Sequence, residues 1–201
     1  MITKYSLNLV EEITKKVPSF HHHYHLLFDL SNNIKKENIN YVEIGAYAGA
    51  SAILMLHNKN VKVISIDIGH PVNKQKVIEN INIFFNDERF EYIQGDSKDK
   101  KIIDELSKKI NEIDILFIDG DHSFEAVIKD FENYSNLVSK NGFIVFDDYL
   151  CNLCVEVKPA VDKIVSSLDN KKFNIIGSLP NNLKAKPENL LNSNCYIIQK
   201  I

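Results

Sequence analysis

The sequence predicts an α/β fold built on a doubly wound, mostly parallel sheet of seven strands. From residue 40 onward, short apolar runs alternate with amphipathic helical segments, which is typical of β-α units in a parallel sheet. Two late apolar runs, KFNIIGS and NCYIIQK, bring the strand count to seven. The 201 residues, of which 44% are hydrophobic, are enough for one domain with a sizeable core.

Two helices are expected before this alternation begins. Apolar side chains recur every four residues, as along one face of a helix, at Tyr5, Leu9, Ile13 and Val17. Pro18 is expected to end this helix, and a second helix is predicted over 20–34. The second helix carries a histidine cluster that suits an exposed helix start, an active-site lid or, less well, a soft-metal site: His21, His22, His23 and His25. We therefore expect residues 1–39 to form a helical cap on a main domain over 40–201.

The elements of the main domain follow in order. Its first five strands are predicted at YVEIG, KVISIDI, RFEYIQ, IDILFID and GFIVF. Helices are predicted around 50–56, 71–85, 102–110, 124–138 and 160–168, each from apolar residues at helical spacing. Pro71 suits the first turn of the second of these helices. The segment between the two late strands is too polar and too rich in proline and asparagine to form the interior of an element.

Carboxylates follow the fourth and fifth strands. The fourth ends on Asp119, and the fifth is followed directly by Asp147 and Asp148. Two parallel strands joined by a crossover helix have their C-terminal ends side by side, with neighbouring strands about 4.8 Å apart. Three carboxylates so close repel one another unless a proton or a cation joins them. Because an all-oxygen cluster suits Mg²⁺, Mn²⁺ or Ca²⁺, the sequence predicts a hard-metal site.

The turn after the first strand reads EIGAYAGAS. Its glycines, Gly45 and Gly49, let the backbone approach a ligand closely, and the helix that follows can hold an anionic group at its N-terminus. The spacing differs from the G-x-G-x-x-G of dinucleotide-binding proteins. Polar side chains that could meet a nucleoside close the second and third strands: Asp67, Asp96 and Ser97. Each acid could alone be a helix cap, but five strand ends that close on an acid or a glycine favour a shared site.

These residues together resemble class I S-adenosylmethionine-dependent methyltransferases. EIGAYAGAS is similar to the first motif of the catechol O-methyltransferase-like branch, and FIDGDHS with FDDY is similar to metal-dependent O-methyltransferases that modify sugars and other natural products. The resemblance covers roughly residues 40–149. It implies a Rossmann-like methyltransferase fold, S-adenosylmethionine as cofactor, and methyl transfer to the hydroxyl group of a small acceptor.

The resemblance also implies a role for each residue of the site. The residues implied to contact the cofactor are Glu43, Gly45, Tyr47, Gly49, Ser51, Asp67, Asp96, Ser97 and Asp119. Within this set, Ser51 would hydrogen-bond the methionine carboxylate, Glu43 would support the turn, and Asp67 would bind the ribose. Asp96 and Ser97 would bind the adenine. The residues implied to hold a divalent metal, Mg²⁺ first, are Asp119, Asp147 and Asp148.

A general base is expected as well, and two residues compete for this role. Asp121 stands where sugar-modifying relatives have an aspartate base, and His122 stands where catechol enzymes have a lysine. The dipole at a helix N-terminus disfavours imidazolium and would keep His122 neutral. Alternatively, Asp121 caps the helix while His122 packs. We favour Asp121 as the base, with His122 as a ligand or acceptor-orienting group.

Other features narrow the expected partners. The net charge of -3 and a single arginine, Arg89, argue against nucleic acid recognition. No run is long and apolar enough for a membrane span or a signal peptide, and three cysteines fit a reducing compartment, so a cytoplasmic protein is expected.

The absence of tryptophan and the presence of Asp148 where catechol enzymes have asparagine disfavour a catechol acceptor. The isolated pair Cys151 and Cys154 is weak support for zinc or redox chemistry, and oligomerisation is left open.

Three alternatives to the methyltransferase hypothesis stay open at this point. A nicotinamide-dependent oxidoreductase could use a similar sheet, although the missing dinucleotide motif and the paired acids count against it. A binding module could keep the cofactor pocket without turnover. A methyltransferase could also use its acids for structure alone, without a metal.

Overall fold

The structure is a computed structural model that describes residues 4–19, 24–86, 88–179 and 194–201. The helices in these ranges are α1 (Lys4–Thr14), α2 (His25–Asn33), α3 (Ala50–Leu56), α4 (Lys74–Asn82), α5 (Lys100–Lys109), α6 (Phe124–Tyr134) and α7 (Val157–Ser167). A short 3-10 helix over Ser135–Leu137 follows α6. The strands are β1 (Ile39–Ile44), β2 (Val61–Asp67), β3 (Phe90–Gln94), β4 (Ile113–Ile118), β5 (Val138–Phe146), β6 (Phe173–Leu179) and β7 (Cys195–Lys200).

The seven strands form one sheet in the order β3-β2-β1-β4-β5-β7-β6. Strands β1 to β5 are parallel, whereas β7 runs antiparallel to both β5 and β6. The predicted doubly wound, mostly parallel sheet with N-terminal helices is therefore confirmed. Because the chain winds outward from β1 in one direction and from β4 in the other, the carboxyl ends of β1 and β4 flank the crevice where such sheets bind ligands.

Side chains of successive strand residues point to opposite faces of the sheet and build two cores. One face presents residues such as Tyr41 and Phe117 to a hydrophobic cluster that includes residues of α1, α2, α3 and α4. The other face presents residues such as Val42 and Leu116 to a cluster with residues of α5, α6 and α7. All seven residues of α3 are buried, so this helix and the turn that precedes it are fixed by the core on which they pack.

Several predicted boundaries are wrong. The first helix ends at Thr14, so Pro18 does not terminate it. Pro71 precedes α4 instead of opening it, because Asn73 caps the helix by accepting a hydrogen bond from the backbone N–H of Lys76 at 3.0 Å. The helical stretch predicted to reach Val138 ends as α6 at Tyr134, and Val138 is already the first residue of β5. This strand is longer than the apolar run GFIVF and includes Asn141 in a left-handed conformation with φ 65°.

The predicted second helix is described only in part. Its histidines at positions 21–23 lie outside the described residues, so the interpretations of the histidine cluster stay predictions. His25 opens α2 and is buried. In the part of the chain that the structure describes, none of the helices has both the length and the apolar character needed to cross a bilayer.

Candidate active site

A cavity of about 570 Å³ opens at the carboxyl ends of the central parallel strands. The cavity is lined by eight of the residues expected at the site: Gly45, Tyr47, Asp67, Asp96, Ser97, Asp119, Asp121 and His122. Glu43, Gly49, Ser51, Asp147 and Asp148 are expected site residues that lie behind this lining. The structure therefore divides the predicted set into residues that face the cavity and residues that support it.

The glycine turn is held tightly against the end of β4. Gly45 has φ 92°, and a Cβ atom added to it would lie 2.0 Å from the backbone oxygen of Asp119. Gly49 also has a positive φ, of 86°, and begins α3 with its Cα against Val77 of α4, where an added Cβ would be 3.1 Å from the Val77 Cγ1. Gly45 thus permits the close approach of two strand ends, and Gly49 permits the close packing of two helices.

Asp67 joins this turn to the end of β2. Its Oδ2 accepts hydrogen bonds from the backbone N–H groups of Ala46 at 2.7 Å and Tyr47 at 3.2 Å. Its Oδ1 accepts a hydrogen bond from the N–H of Gly69 at 2.6 Å. Each carboxylate oxygen has more than one lone pair, so Asp67 can accept further hydrogen bonds from a ligand in the cavity.

Glu43 is buried beneath the turn and accepts three hydrogen bonds from side chains. The donors are the hydroxyls of Tyr41 at 2.8 Å, Ser51 at 2.6 Å and Ser65 at 2.6 Å. Burial raises the pKa of Glu43 to about 7, although the hydrogen bonds from Ser51, Ser65 and Tyr41 act in the opposite direction. The Ser51 side chain is therefore directed at Glu43, behind the cavity wall.

Ser97 is anchored in a similar way by α6. Its hydroxyl donates a hydrogen bond of 2.6 Å to Oδ1 of Asp130, whose pKa is raised to about 6 by burial. The backbone oxygen of Ser97 accepts a hydrogen bond from the Tyr134 hydroxyl at 2.8 Å. Asp96 is more exposed, and its Oδ1 lies 3.3 Å from the Nζ of Lys98. Asp96 and Lys98 are thus the charged side chains that the cavity wall offers at this strand end.

The three acids predicted to hold a metal meet at the carboxyl ends of β4 and β5. Asp119, Asp147 and Asp148 each offer a carboxylate oxygen, and these atoms all lie within 4.8 Å of one another. Asp147 and Asp148 are only 2% and 1% exposed, whereas Asp119 reaches the cavity wall. A set of carboxylate oxygens that is buried and this close fits a hard divalent cation.

His122 adjoins these acids, whereas Asp121 lies beside Lys98. The His122 Nε2 lies 3.3 Å from Oδ2 of Asp148 and 3.5 Å from Oδ1 of Asp119. The Asp121 side chain is 56% exposed and lies 3.5 Å from the Nζ of Lys98. A hydrogen bond from the backbone N–H of Ser123, at 3.0 Å, lowers the pKa of Asp121, and Lys98 lowers it further.

Three polar residues of the cavity wall are not among the site residues predicted from the sequence: Tyr24, His70 and Lys98. Tyr24 lies within the predicted second helix, and a tyrosine in an amphipathic helix is usually a core residue. Burial raises its pKa far above the ordinary value, and the charges of Asp119 and Asp147 raise it further, so its phenol stays protonated. Lys98 could have been found by extending the third strand end one residue beyond Ser97. No pattern in the sequence points to His70.

Two thiols also border the acids. The Cys154 Sγ lies 3.3 Å from Oδ2 of Asp148, and the Cys195 Sγ lies 3.7 Å from Oδ1 of Asp147, each as a hydrogen-bond donor. Burial raises the pKa of both thiols, and the neighbouring carboxylates add to this effect. Both are therefore neutral in the metal-free protein.

Comparison with known proteins assigns the family. Residues 42–149 match the family described as a methyltransferase domain. The chain is 41% identical over 175 residues to uncharacterized protein R132 of Acanthamoeba polyphaga mimivirus, and the alignment covers 82% of this chain and 78% of that protein.

Solved structures agree on the fold. The MycE methyltransferase from the mycinamycin biosynthetic pathway, in complex with Mg and S-adenosylhomocysteine, is 18% identical with a TM-score of 0.63, over 97% of this chain and 54% of MycE. An rRNA methylase from Streptococcus thermophilus is 15% identical with a TM-score of 0.64, over 88% of this chain and 95% of that chain. At these identities the likeness is one of fold, but it agrees with the family match and with a glycine turn and acids at one sheet edge. The chain therefore belongs to the class I S-adenosylmethionine-dependent methyltransferases.

Proposed function

We propose that the protein is a divalent-metal-assisted O-methyltransferase whose acceptor is a hydroxyl group of a small molecule, of the sugar or natural-product class. The observation that carries this proposal is the position of Asp119, which both lines the cavity and belongs to the carboxylate cluster. A cofactor bound in the cavity and a cation bound by the three acids would therefore both lie beside Asp119. Methyl transfer needs this proximity, because the acceptor oxygen must lie in line with the methyl group.

The cavity fits the cofactor in size and in the placement of its polar groups. Its volume of about 570 Å³ lies within the range of roughly 300–1,000 Å³ usual for small-molecule sites. S-adenosylmethionine, when bound, supplies an electrophilic methyl group on sulfur. Gly45 and Tyr47 would line its methionine end, Asp67 would accept hydrogen bonds from its ribose, and Asp96 would lie at its adenine. Ser97 would line the adenine end beside Asp96. Glu43, Gly49 and Ser51 would act from behind the cavity wall by fixing the turn.

The carboxylate cluster fits the proposed cation, with Mg²⁺ first among the candidates. A hard cation bound there would lower the pKa of the acceptor hydroxyl. Asp119, Asp147 and Asp148 would hold this cation. Their burial makes the arrangement costly without a positive partner, because buried carboxylates that share a site repel one another.

His122 is the better candidate for the base. Asp121 is the base expected from the sequence, but the lowered pKa of this carboxylate makes it a weaker base, and its side chain is exposed and engaged with Lys98. A neutral His122 can accept the proton of the acceptor at Nε2. Its Nε2 lies 3.3 Å from Oδ2 of Asp148 and 3.5 Å from Oδ1 of Asp119, which places it beside the proposed cation. Asp121 would then orient Lys98 and the turn before α6.

An RNA acceptor is the second candidate, because an rRNA methylase shares the fold. Among the described residues that line the cavity, Lys98 is the one lysine, and it lies near Asp96 and Asp121. RNA binding relies on many cationic contacts with phosphates, which this rim does not offer. We therefore place small molecules first. The nicotinamide-dependent oxidoreductase is no longer a candidate, because the chain belongs to a methyltransferase family.

The experiment combines cofactor titration with a screen of hydroxylated acceptors. Calorimetry with S-adenosylmethionine, in Mg²⁺ and in EDTA, is applied to the wild type and to the D147N/D148N variant, with D104N/E105Q on the exposed side of α5 as a charge-matched control. We expect all three proteins to bind the cofactor, and only D147N/D148N to lose methyl transfer, by at least about 100-fold. Full activity in EDTA would overturn the metal requirement. Cofactor binding without turnover on any acceptor would indicate a binding module.

The base is tested in the same assay with single variants. We expect H122Q to lower turnover by about 100-fold or more, since general bases contribute at least this much, and D121N to lower it much less. The opposite order of effects would assign the base to Asp121.

A further inference from the structure

Cys154 adds a sulfur ligand to the edge of the carboxylate cluster. It lies in the loop between β5 and α7, partly exposed, with its Sγ 3.3 Å from Oδ2 of Asp148. The same Asp148 oxygen is 3.3 Å from Nε2 of His122. These three residues offer one ligand atom each, and the three atoms lie within 4.8 Å of one another. We propose that His122, Asp148 and Cys154 form a binding site for a soft divalent cation such as Zn²⁺, distinct from the hard-metal site but sharing Asp148 with it.

The spacing of the ligand atoms fits tetrahedral zinc. Zinc bonds of about 2.0–2.3 Å at tetrahedral angles separate two ligand atoms by about 3.3–3.6 Å. The carboxylate oxygen of Asp148 is already at this separation from both the nitrogen of His122 and the sulfur of Cys154. A cation could therefore enter with only a small approach of the sulfur and the nitrogen.

The surroundings of the His122 Nε2 atom are a second, independent observation in support of a cation at this site. Its Nε2 atom is shielded from solvent and has no hydrogen bond of normal geometry among the described residues, although it lies beside two carboxylates. A shielded imidazole nitrogen without such a bond is unfavourable in a resting protein. Coordination of a cation by its lone pair would remove this cost.

The chemical types of the three ligand atoms favour Zn²⁺ over Mg²⁺. Nitrogen, oxygen and sulfur together suit Zn²⁺, whereas Mg²⁺ prefers oxygen ligands throughout. Three protein ligands leave the fourth tetrahedral position to water. On binding, the S–H bond of Cys154 breaks, a sulfur–zinc bond forms, and one proton is released to the buffer. No oxidant or reductant is required.

The site has a regulatory consequence that rests on the proposed function. Zinc would withdraw Asp148 from the three acids that hold the hard cation and would occupy the lone pair of His122 that accepts the acceptor proton. One zinc ion would thus remove a metal ligand and the base together. We expect zinc to inhibit methyl transfer and excess Mg²⁺ to relieve the inhibition in part.

The test uses Co²⁺ as a spectroscopic substitute for zinc on the 201-residue chain with its thiols reduced. A cobalt–thiolate bond gives an intense near-ultraviolet charge-transfer band that oxygen and nitrogen ligands do not give. We expect one equivalent of Co²⁺ to produce this band in the wild type and Zn²⁺ to displace it. C154S should lose the band, and its zinc affinity, measured against a chromophoric chelator, should fall by at least about tenfold. H122Q should keep the band but bind zinc more weakly.

Two further variants make the assignment specific. C151S replaces the neighbouring cysteine of the same loop and should keep the band. D147N removes a ligand of the hard-metal site alone and should also keep it, while Mn²⁺ binding, followed by electron paramagnetic resonance, is lost. No band in the wild type, a band that survives C154S, or a band lost in C151S instead would each overturn the proposed site. A Co²⁺ band without any Mn²⁺ binding in the wild type would leave the soft-metal site standing and refute the hard-metal part of the proposed function.

Discussion

The hydroxyl of Ser51 donates a hydrogen bond of 2.6 Å to Oε2 of Glu43, and this bond ties the first turn of α3 to the end of β1. The resemblance to methyltransferases had implied that Ser51 binds the methionine carboxylate. That role stays a prediction, and in the structure the hydroxyl donates to a buried acid that also accepts hydrogen bonds from Tyr41 and Ser65. Glu43 is thus the centre of a polar cluster beneath the cavity, and its protonation state couples to stability.

Replacement of Glu43 by glutamine should flatten the pH dependence of stability. Because burial raises the Glu43 pKa from 4.5 to about 7, the unfolded chain loses this proton first as the pH rises. The free energy of unfolding therefore falls between these two values, by about 3 kcal/mol in total, and the loss is complete above the folded pKa. E43Q removes this contribution. Urea unfolding at several pH values from 5 to 8 measures it.

The matched control for this measurement is E105Q, on the exposed side of α5. This variant should keep the pH dependence of the wild type. An E43Q profile that falls as steeply as the wild-type profile would show that another group is responsible for the pH dependence.

Gly45 should tolerate no side chain. In G45A, the added Cβ would lie 2.0 Å from the backbone oxygen of Asp119 and the residue would keep φ 92°. Gly177 offers a control, because its φ is 98° but no atom lies within 4 Å of an added Cβ. G177A should cost only the left-handed strain of about 1–2 kcal/mol.

The difference between these two alanine variants isolates the steric clash. We expect G45A to lose about 1–3 kcal/mol more than G177A, because strand ends must move apart to relieve the overlap. Movement of Asp119 should also weaken the binding of S-adenosylhomocysteine, as calorimetry would detect. Equal losses in the two variants would mean that the turn relaxes freely.

Much of the fold could be predicted from the sequence because its signals are local. The alternation of buried strands and amphipathic helices is visible in short windows and gave the sheet and its parallel centre. Four early residues of β5 could not be predicted as a strand, because they are polar or small: Ser139, Lys140, Asn141 and Gly142. Val138 pairs with Ile113 of β4 and Phe143 with Ile115, so the four residues between Val138 and Phe143 lie at a register shift between two paired positions. The start of β5 is thus set by contact with β4, which is a tertiary effect.

The site was predicted as a set of residues, but the direction of each side chain could not be predicted. The carboxyl ends of parallel strands lie at one edge of the sheet, whatever their side chains contact. The sequence therefore predicts that Asp67 and Asp119 lie in one site. Whether a hydroxyl faces the cavity depends on a partner elsewhere in the chain, as with Ser97 and Asp130. Tyr24 and Cys154 reach the site from outside the motifs, and only the folded chain brings them there.

We expect even the replacement of Asp67 by asparagine to lower both stability and cofactor affinity. Both of its oxygens face backbone N–H groups, Oδ2 towards Ala46 and Tyr47 and Oδ1 towards Gly69. In either orientation, the amide nitrogen of D67N would therefore point at a donor. We expect a loss of about 1–3 kcal/mol in stability and at least tenfold weaker binding of S-adenosylhomocysteine, about 1.4 kcal/mol.

Thermal unfolding with and without S-adenosylhomocysteine measures both effects of D67N. The D104N variant, which changes the same charge on the exposed side of α5, should match the wild type in both readouts. Wild-type cofactor affinity in D67N would exclude Asp67 as a ribose ligand.

Arg89 should be needed for stability and not for binding. Its guanidinium donates hydrogen bonds to three backbone oxygens at the end of α3 and the start of β2: Asn58 at 2.9 Å, Val61 at 3.0 Å and Leu56 at 3.0 Å. Lysine keeps the charge but lacks the planar fork that spans these acceptors. We expect R89K to lower the free energy of unfolding by about 1–3 kcal/mol, because hydrogen bonds from a charged donor are lost. Urea unfolding measures the loss, and cofactor affinity in the folded variant should equal that of the wild type. Weaker cofactor binding at unchanged stability would instead make Arg89, the one arginine of the chain, a ligand-binding residue.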